Sequence, residues 1–286
     1  MTSPIALVDG TGFPWPVYGS GTSLRDTDCS TQIAAALRAG FRHIDCAEMY
    51  RNAAAVGAGI AQSGVPRGEL YVTTKLLPVP AGATAADSLR GALRTMQLGH
   101  VDLCLVHEPV GHRDLAETWR QMEACRTLGL TKSIGVSNFR VRDLEEIRQG
   151  GASVPVVNQI EVHPYVYEAS LPVLQYMREH HILPVAFSGL APLWRVQGGP
   201  LNPILDAIAS RMRDTTGGAV TRAQVLQLWL RKKGIPYTTT TSTPDRLYEY
   251  LAVAQLPDLD DDDEQQIDAA GRTAHHRFFC KYIDEP

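Results

Sequence analysis

The stretch HIDCAEMY, from His43 to Tyr50, places an acid and a phenol at a spacing that suits proton chemistry. Asp45 lies within a short apolar run, and Tyr50 follows five residues later. A carboxylate and a phenol make a poor catalytic pair alone, because the negative charge of one disfavours ionisation of the other. A nearby cation would stabilise both charged forms, so the chemistry requires a lysine, arginine or histidine elsewhere in the chain.

Short apolar runs alternate with amphipathic helical segments along the chain. The strand candidates are residues 17–22, 43–46, 70–75, 101–107, 133–137, 155–161, 183–188 and 235–240. The helix candidates are near 28–39, 52–63, 84–98, 114–128, 140–149, 171–180, 221–233 and 244–254. Because a helical crossover joins parallel strands, eight such units predict a (β/α)₈ TIM barrel in a single domain over residues 1–286. A doubly wound sheet is the alternative fold, but nothing in the sequence indicates a second domain.

Three further segments complete this predicted architecture. IALVDGTGFPW near the N-terminus predicts a β-hairpin that plugs the bottom of the barrel, with DGTG as its turn. The acidic run DLDDDDE (258–264) predicts the start of a final helix ending near Arg272, since the helix dipole favours carboxylates there. Residues 191–218, with glycine pairs at 198–199 and 217–218, predict a long loop on the active-site face.

Local chemistry predicts how several helices begin. Asn138, Ser170 and Thr221 are expected N-caps, with Pro172 at the start of the sixth helix. GAGIAQ (57–62) resembles a fragment of a dinucleotide-binding glycine loop, but it follows no strand. Its glycines are therefore interpreted as close-packing positions in a helix.

Polar side chains at neighbouring strand ends supply the missing cation. In a parallel barrel the carboxyl ends of all strands open on one face, where functional residues gather. Lys75 ends LYVTTK, next in sheet order to the strand that carries Asp45, and His107 ends the following strand. The lysine is expected to lower the pKa of Tyr50 and make it a proton donor, while Asp45 holds Lys75 and His107 binds a substrate oxygen. Taken singly, each of these residues has a plausible structural role. Because all four converge on one rim of the barrel, a catalytic role is favoured.

At these residues the sequence resembles the aldo-keto reductase family. The matching motifs are GFRHIDCAEMY (40–50), VTTKL (72–76), LVHEP (105–109), IGVSNF (134–139) and NQIEVHPY (158–165), together with GSGT (19–22) and PDRLYEYL (244–251). They occur in family order and spacing over nearly the whole chain. The resemblance implies a catalytic tetrad of Asp45, Tyr50, Lys75 and His107, and hydride transfer from NADPH to a ketone or aldehyde with Tyr50 as proton donor.

The expected cofactor-binding residues lie at the remaining strand ends and in the matching motifs. They are Gly21, Thr22, Ser137, Asn138, Gln159, Phe187, Ser188, Thr240, Thr241, Ser242 and Arg246. The resemblance assigns Ser137, Asn138 and Gln159 to the nicotinamide carboxamide. Phe187 replaces a family tyrosine that stacks on the nicotinamide, which requires only an aromatic face.

The eighth strand departs from the family pattern. Thr240 stands where the family usually has a lysine, which weakens the expected discrimination of NADPH from NADH. Arg246 matches the arginine that meets the 2′-phosphate, and hydroxyls nearby can still bind phosphate. NADPH therefore remains the expected cofactor, with NADH less favoured.

The predicted substrate pocket is wider and more polar than in relatives that wall it with tryptophans. The expected substrate-binding residues are Ser23, Leu77 and Glu108 at those tryptophan positions, with Glu48, Met49 and Trp194 as further walls. Glu108 is expected to face solvent or pair with Arg113; the alternative is that it binds a polar or cationic substrate. The tail residues Phe278, Phe279 and Tyr282 cover either the pocket or the side of the barrel. This tail and the threonine-rich eighth strand resemble a fungal branch that reduces conjugated polyketones and ketolactones.

Composition narrows the class of partner. The chain is 44% hydrophobic with a net charge of −4, which argues against nucleic acid or an anionic membrane as partner. The five cysteines are scattered without metal-ligand spacing, so no metal is expected and reduced thiols predict a cytoplasmic protein. MTSPIALVDG lacks the features of a signal peptide. The expected partner is a small carbonyl compound, and the family resemblance implies a monomer.

Two alternative functions remain open. One is imine or C=C reduction on the same scaffold, and the other is a nicotinamide-binding regulatory protein without turnover.

Overall fold

The computed structural model describes residues 3–150 and 153–284. Its strands are β1 (Ile5–Ala6), β2 (Gly12–Phe13), β3 (Val17–Gly19), β4 (His43–Asp45), β5 (Tyr71–Leu76), β6 (Val101–Val106), β7 (Thr131–Ser137), β8 (Val157–Glu161), β9 (Leu183–Phe187) and β10 (Thr238–Thr239). Its helices are α1 (Ser30–Ala39), α2 (Ala53–Ser63), α3 (Ala85–Met96), α4 (Leu115–Thr127), α5 (Val141–Gln149), α6 (Pro164–Glu179), α7 (Ala191–Arg195), α8 (Leu201–Thr216), α9 (Arg222–Lys232), α10 (Pro244–Ala252) and α11 (Asp261–Arg272).

Eight parallel strands form one sheet in the order β10-β3-β4-β5-β6-β7-β8-β9. A bridge between Ala186 and Tyr237 brings the last strands together and nearly closes the barrel. Strands β5 and β6 are buried along their whole length, as expected for parallel strands covered on both faces. The predicted TIM barrel is confirmed. No helix within the described residues has the length and apolar character to cross a membrane.

The N-terminal hairpin closes the bottom of the barrel. Ile5 pairs with Phe13 in an antiparallel register, and the backbone N–H of Leu7 donates to the Thr11 carbonyl at 2.8 Å. Leu7 and Phe13 are buried in a cluster with the inward-facing barrel residues Val17, Leu103, Leu105, Val157 and Val185. The prediction of a hairpin plug is confirmed.

The segment 191–218 is helical, so the prediction of a long loop is wrong. Helix α7 and the sixteen-residue helix α8 occupy most of it. Leu201, Leu205 and Ile208 in α8 are buried at three- and four-residue spacing, which fixes a helix against the barrel. The flanking glycine pairs obscured this pattern in the sequence, because glycines mark turns and loops.

Two predicted caps are wrong and one is confirmed. Helix α6 begins at Pro164, so Ser170 lies inside it and donates its hydroxyl to the Val166 carbonyl at 2.8 Å. Asn138 has a left-handed backbone (φ 63°) and precedes α5 without capping it. Thr221 caps α9 in a reciprocal pair with Gln224.

The glycine-rich and acidic segments fold as predicted. Gly57 and Gly59 lie in α2, and a methyl group on Gly57 would come within 2.2 Å of the Met96 carbonyl oxygen. These glycines therefore allow helices to approach closely, with no phosphate-binding loop. The acidic run opens α11, where Asp260 accepts a hydrogen bond from the N–H of Asp263.

Candidate active site

Four candidate catalytic residues meet at the carboxyl ends of β4, β5 and β6. Asp45 ends β4, Lys75 lies one residue before the end of β5, and His107 directly follows β6. Tyr50 follows β4 in a single 3₁₀ turn formed by residues 48–50. Because β4, β5 and β6 are consecutive neighbours in the sheet, these side chains converge on one part of the rim.

A buried ion pair joins Asp45 and Lys75. The Lys75 ammonium donates to Asp45 Oδ1, to the Cys46 carbonyl at 3.3 Å and to the Tyr50 hydroxyl at 3.4 Å. Gln159 donates from Nε2 to the second Asp45 oxygen at 2.8 Å. Lys75 and Asp45 are only 1% and 2% exposed, so each charge depends on the other in place of water. The network holds the ammonium beside the phenol.

The electrostatics keep Lys75 charged. Burial, the largest effect, lowers the pKa of Lys75, but the opposing effects, led by attraction to the Asp45 carboxylate, together exceed it. The net pKa of Lys75 is therefore above its ordinary value.

Burial opposes the expected effect of Lys75 on the pKa of Tyr50. Burial raises the pKa of the Tyr50 phenol, and the neighbouring Lys75 charge lowers it by less, because Asp45 offsets part of the effect of the lysine. Lys75 therefore acts in the predicted direction, but burial outweighs it and the net pKa of Tyr50 is raised. A raised pKa keeps the phenol protonated at neutral pH, which is the form that donates a proton.

His107 is a neutral imidazole beside the phenol. Its ring meets the Tyr50 ring edge-to-face with centroids 5.8 Å apart. Burial first, then the charges of Lys75 and Arg25, lowers the pKa of His107 to about 3. Its Nδ1 atom is buried without a hydrogen-bond partner in the described residues. A neutral imidazole has one donor and one acceptor nitrogen, so His107 can donate to a carbonyl oxygen without carrying charge.

A cavity of about 440 Å³ opens above these residues. Asp45, Tyr50 and His107 line it, together with Met49 and Glu108 of the expected substrate set. Eight of the expected cofactor residues also line it: Gly21, Thr22, Ser137, Asn138, Gln159, Phe187, Ser188 and Thr240. A larger cavity of about 690 Å³ lies at the opposite end of the barrel, beside the hairpin, and contains none of the predicted site residues.

A second cavity of about 440 Å³ adjoins the first and contains Arg246. The two share the wall residues Thr22, Ser188, Arg195, Thr238, Thr240 and Phe279, and we call the pair of cavities the groove. Ser23 and Trp194 line this second cavity instead of the first, and the Arg246 guanidinium lies 4.8 Å from the Trp194 ring centroid. These two predicted substrate residues therefore lie at the Arg246 end of the groove.

The remaining predicted residues lie outside both cavity linings. Glu48 accepts a hydrogen bond from the N–H of Leu77 at 3.1 Å, which ties two predicted substrate residues to each other. The Thr241 hydroxyl accepts from the Thr243 N–H at 3.0 Å, and Ser242 is exposed. Thr240 donates its hydroxyl to the Gly19 carbonyl at 2.9 Å while still lining the groove.

Glu108 lines the cavity without an ion pair to Arg113 or any other cation in residues 3–150 and 153–284. Burial raises the pKa of the Glu108 carboxyl. Its side chain is half-buried on the cavity wall, and its role toward a substrate stays a prediction.

Sequence reasoning missed three cavity residues of consequence: Arg25, Arg195 and Cys280. Arg25 follows the GSGT motif by three residues, and that proximity was an available signal. Arg195 follows Trp194 in the segment mistaken for a loop. Phe279, expected to cover either the pocket or the barrel side, covers the pocket and meets Phe187 edge-to-face with centroids 5.8 Å apart.

The groove walls carry polar, aromatic and cationic groups of the kinds that bind a nicotinamide dinucleotide. Asn138 Oδ1 and Thr238 Oγ1 are buried on its walls with no hydrogen-bond partner in the part of the chain that the structure describes. Phe187 offers an aromatic face, and Arg246 offers a cation at the far end. Unpartnered polar atoms on a cavity wall are candidates for ligand contacts. Among the described residues, no cluster of three or more His, Cys, Asp or Glu side chains is arranged to hold a metal ion.

Comparisons with known proteins agree with this geometry. A sequence model of the aldo/keto reductase family matches residues 15–272. The NAD/NADP-dependent indole-3-acetaldehyde reductase of Schizosaccharomyces pombe is 34% identical, over 96% of this chain and 98% of that protein. The NADPH-dependent alpha-keto amide reductase of Saccharomyces cerevisiae is 32% identical, over 85% of this chain and 80% of that protein.

A solved structure extends the agreement to the fold. The crystal structure of an aldo/keto reductase from Brucella melitensis superposes with a TM-score of 0.80 and 30% identity. The match covers 94% of this chain and all of that one. On the family match, the related sequences and the shared barrel, the chain belongs to the aldo/keto reductase family.

Proposed function

We propose that the protein is an NADPH-dependent reductase that converts a ketone or aldehyde to an alcohol. The observation that carries the proposal is the contact at 3.4 Å between the buried Lys75 and Tyr50, which lines the cavity together with His107. When bound, NADPH supplies the hydride that the carbonyl carbon accepts. The protein must then supply a proton to the carbonyl oxygen and hold that oxygen in place.

Tyr50 is the proposed proton donor. Its raised pKa keeps the proton on the phenol, and the charged Lys75 stabilises the phenolate that remains after donation. Asp45 keeps Lys75 in place through their buried ion pair. His107, held neutral, donates a hydrogen bond that orients the carbonyl oxygen toward the phenol.

The cofactor is proposed to lie along the groove. Ser137, Asn138 and Gln159 would hold the nicotinamide amide, and Phe187 would support its ring. Arg246 would meet the adenosine end, where its guanidinium makes no ion pair within the described residues. An available guanidinium supports a 2′-phosphate contact and hence NADPH over NADH. The two yeast relatives use NAD/NADP and NADPH according to their names.

The proposal is tested with Tyr50→Phe. This variant removes one hydroxyl and should lower turnover by about 10²- to 10⁴-fold, because it removes the proton donor. NADPH binding, followed by fluorescence, should stay within about twofold of the wild type, since the ring still packs on the groove. Retained turnover would exclude Tyr50 as the donor. Tight NADPH binding without turnover of any carbonyl by the wild type would support the regulatory alternative instead.

A second candidate reaction is imine reduction. Glu108 lines the pocket without a cationic partner in the described ranges, and its ionised form would attract an iminium or ammonium substrate. His107, a hydrogen-bond donor to oxygen, favours carbonyl over C=C reduction. Product analysis with a matched ketone and imine separates these reactions.

A further inference from the structure

Arg195 lies where the two cavities join. It ends helix α7 and lines both the cavity with Tyr50 and His107 and the cavity with Arg246. Of the shared lining residues it is the only one with a charged side chain. A ligand that occupies both cavities therefore lies along a wall that includes this guanidinium.

Two aromatic rings hold the Arg195 guanidinium. It lies 5.3 Å from the Phe278 ring centroid and 5.1 Å from that of Phe279. No carboxylate in residues 3–150 or 153–284 forms an ion pair with it. A guanidinium is always charged at physiological pH, and stacking on aromatic rings leaves its N–H donors available in the ring plane. The N–H donors of Arg195 are therefore not taken up by a carboxylate of the described residues.

The two phenylalanines are themselves fixed by a buried acid. Glu161, at the end of β8, is 0% exposed and accepts from the backbone N–H groups of Phe278 at 3.1 Å and Phe279 at 2.9 Å. His163 Nε2 lies 3.2 Å from the same carboxylate. The tail therefore presents its rings to the exposed Arg195 side chain from an anchored backbone.

We propose that Arg195 is an oxyanion-binding residue at the junction of the substrate and cofactor cavities. The shared chemistry is a planar or tetrahedral oxyanion that accepts two parallel N–H bonds. Two sources fit this position: the pyrophosphate of the dinucleotide, or a carboxylate next to the reacting carbonyl of a 2-oxo acid. The inference rests on the reductase function proposed above.

The test uses Arg195→Met, which keeps much of the apolar packing and removes the charge. The first arm measures the dissociation constants of NADPH and NADH by fluorescence. The second measures KM for a 2-oxo acid and for its uncharged amide. Arg213→Met is the matched control, because Arg213 is an exposed arginine on α8 outside both cavities. Arg195→Lys tests whether charge alone suffices.

Two results support the proposal and distinguish the sources. If the pyrophosphate is the ligand, Arg195→Met weakens both NADPH and NADH by about fivefold or more and affects the two substrates equally. If the substrate carboxylate is the ligand, cofactor binding is unchanged and KM rises by a similar factor for the acid but not the amide. If Arg195→Met and Arg213→Met have the same cofactor dissociation constants and the same KM values, the proposal is overturned. A wild type that binds NADPH but reduces neither compound rules out the 2-oxo acid as the source of the oxyanion, and the binding arm alone then decides whether Arg195 contacts the cofactor.

Discussion

The phenol ring of Tyr50 lies against the backbone of Gly21. A methyl group on Gly21 would come within 2.9 Å of Tyr50 Cζ and 3.3 Å of the hydroxyl oxygen. Gly21 has φ −82°, an ordinary value for any residue, so the glycine is required here by space and not by backbone conformation. Gly21, which the sequence predicts as a cofactor contact, therefore also sets the position of Tyr50, the proposed proton donor.

We expect Gly21→Ala to displace the Tyr50 ring and lower turnover by about 10- to 100-fold, since a misplacement near 1 Å can have that effect. The thermal midpoint should change little, because the ring can move toward the open cavity. Turnover and circular dichroism measure the two effects. Gly68→Ala is the control, as a methyl group there meets nothing within 4 Å. Unchanged turnover in Gly21→Ala would show that displacement of the Tyr50 ring does not impair catalysis, which contradicts the prediction.

The pH dependence of turnover distinguishes the raised pKa of Tyr50 from the lowered value that the sequence alone predicted. The phenol donates only while protonated, so activity is lost as pH rises through its pKa. Because that pKa lies above its ordinary value of 10.0, the rate of reduction should stay level to at least pH 9. On the acid side, His107 stays neutral until about pH 3, so it adds no loss above pH 5.

Initial rates at saturating substrate between pH 5.5 and 9.5 provide the measurement. Tyr50→Phe supplies the background rate at each pH. A fall centred between pH 7 and 8.5 that vanishes in this variant would show that Lys75 lowers the phenol pKa in the working enzyme.

The positions of Asp45, Lys75 and His107 were predictable, because parallel strands must end on one face. The pKa of Tyr50 was not, since it depends on the balance between burial and two nearby charges.

Other features of the site were also beyond the sequence for identifiable reasons. Trp194 was predicted to wall the substrate, but it stacks with Arg246 because helix α7 turns it toward the second cavity. Arg195 gains its position from Phe278 and Phe279, more than eighty residues away in the chain. Contacts of this range depend on how the tail crosses the barrel, and no local periodicity specifies that path. The hairpin plug, by contrast, follows from a local turn and alternating apolar residues.

The Arg246 guanidinium should determine cofactor preference. Arg246→Met removes the only cation unique to the second cavity, and we expect the dissociation constant of NADPH to rise by about tenfold. NADH lacks the 2′-phosphate, so its binding should change by less than about twofold. Fluorescence titration of both cofactors measures this, with NADH serving as an internal control for folding. Equal weakening of both cofactors would place Arg246 on a part that they share.

The Glu161 carboxylate should set the shape of the substrate pocket through the tail. Glu161→Gln keeps the size of the side chain but replaces one acceptor oxygen with an N–H₂ group, which opposes the N–H groups of Phe278 and Phe279. The backbone then loosens, and Phe279 no longer forms a fixed wall. We expect KM for the carbonyl substrate to rise about three- to tenfold, with a smaller change in turnover, because Tyr50 and Lys75 are untouched.

Two companion variants separate positioning from general destabilisation. Phe279→Ala removes the same wall without touching Glu161, so it should reproduce the rise in KM. Glu168→Gln removes an exposed acid of α6 that pairs with Arg272, and it should leave KM unchanged. Steady-state kinetics and the thermal midpoint are measured for all three. If Glu161→Gln lowers the midpoint while KM stays at the wild-type value, the acid stabilises the fold but does not position the pocket wall. If KM rises in Glu161→Gln and Phe279→Ala alike, the buried carboxylate acts on the substrate through the anchored tail.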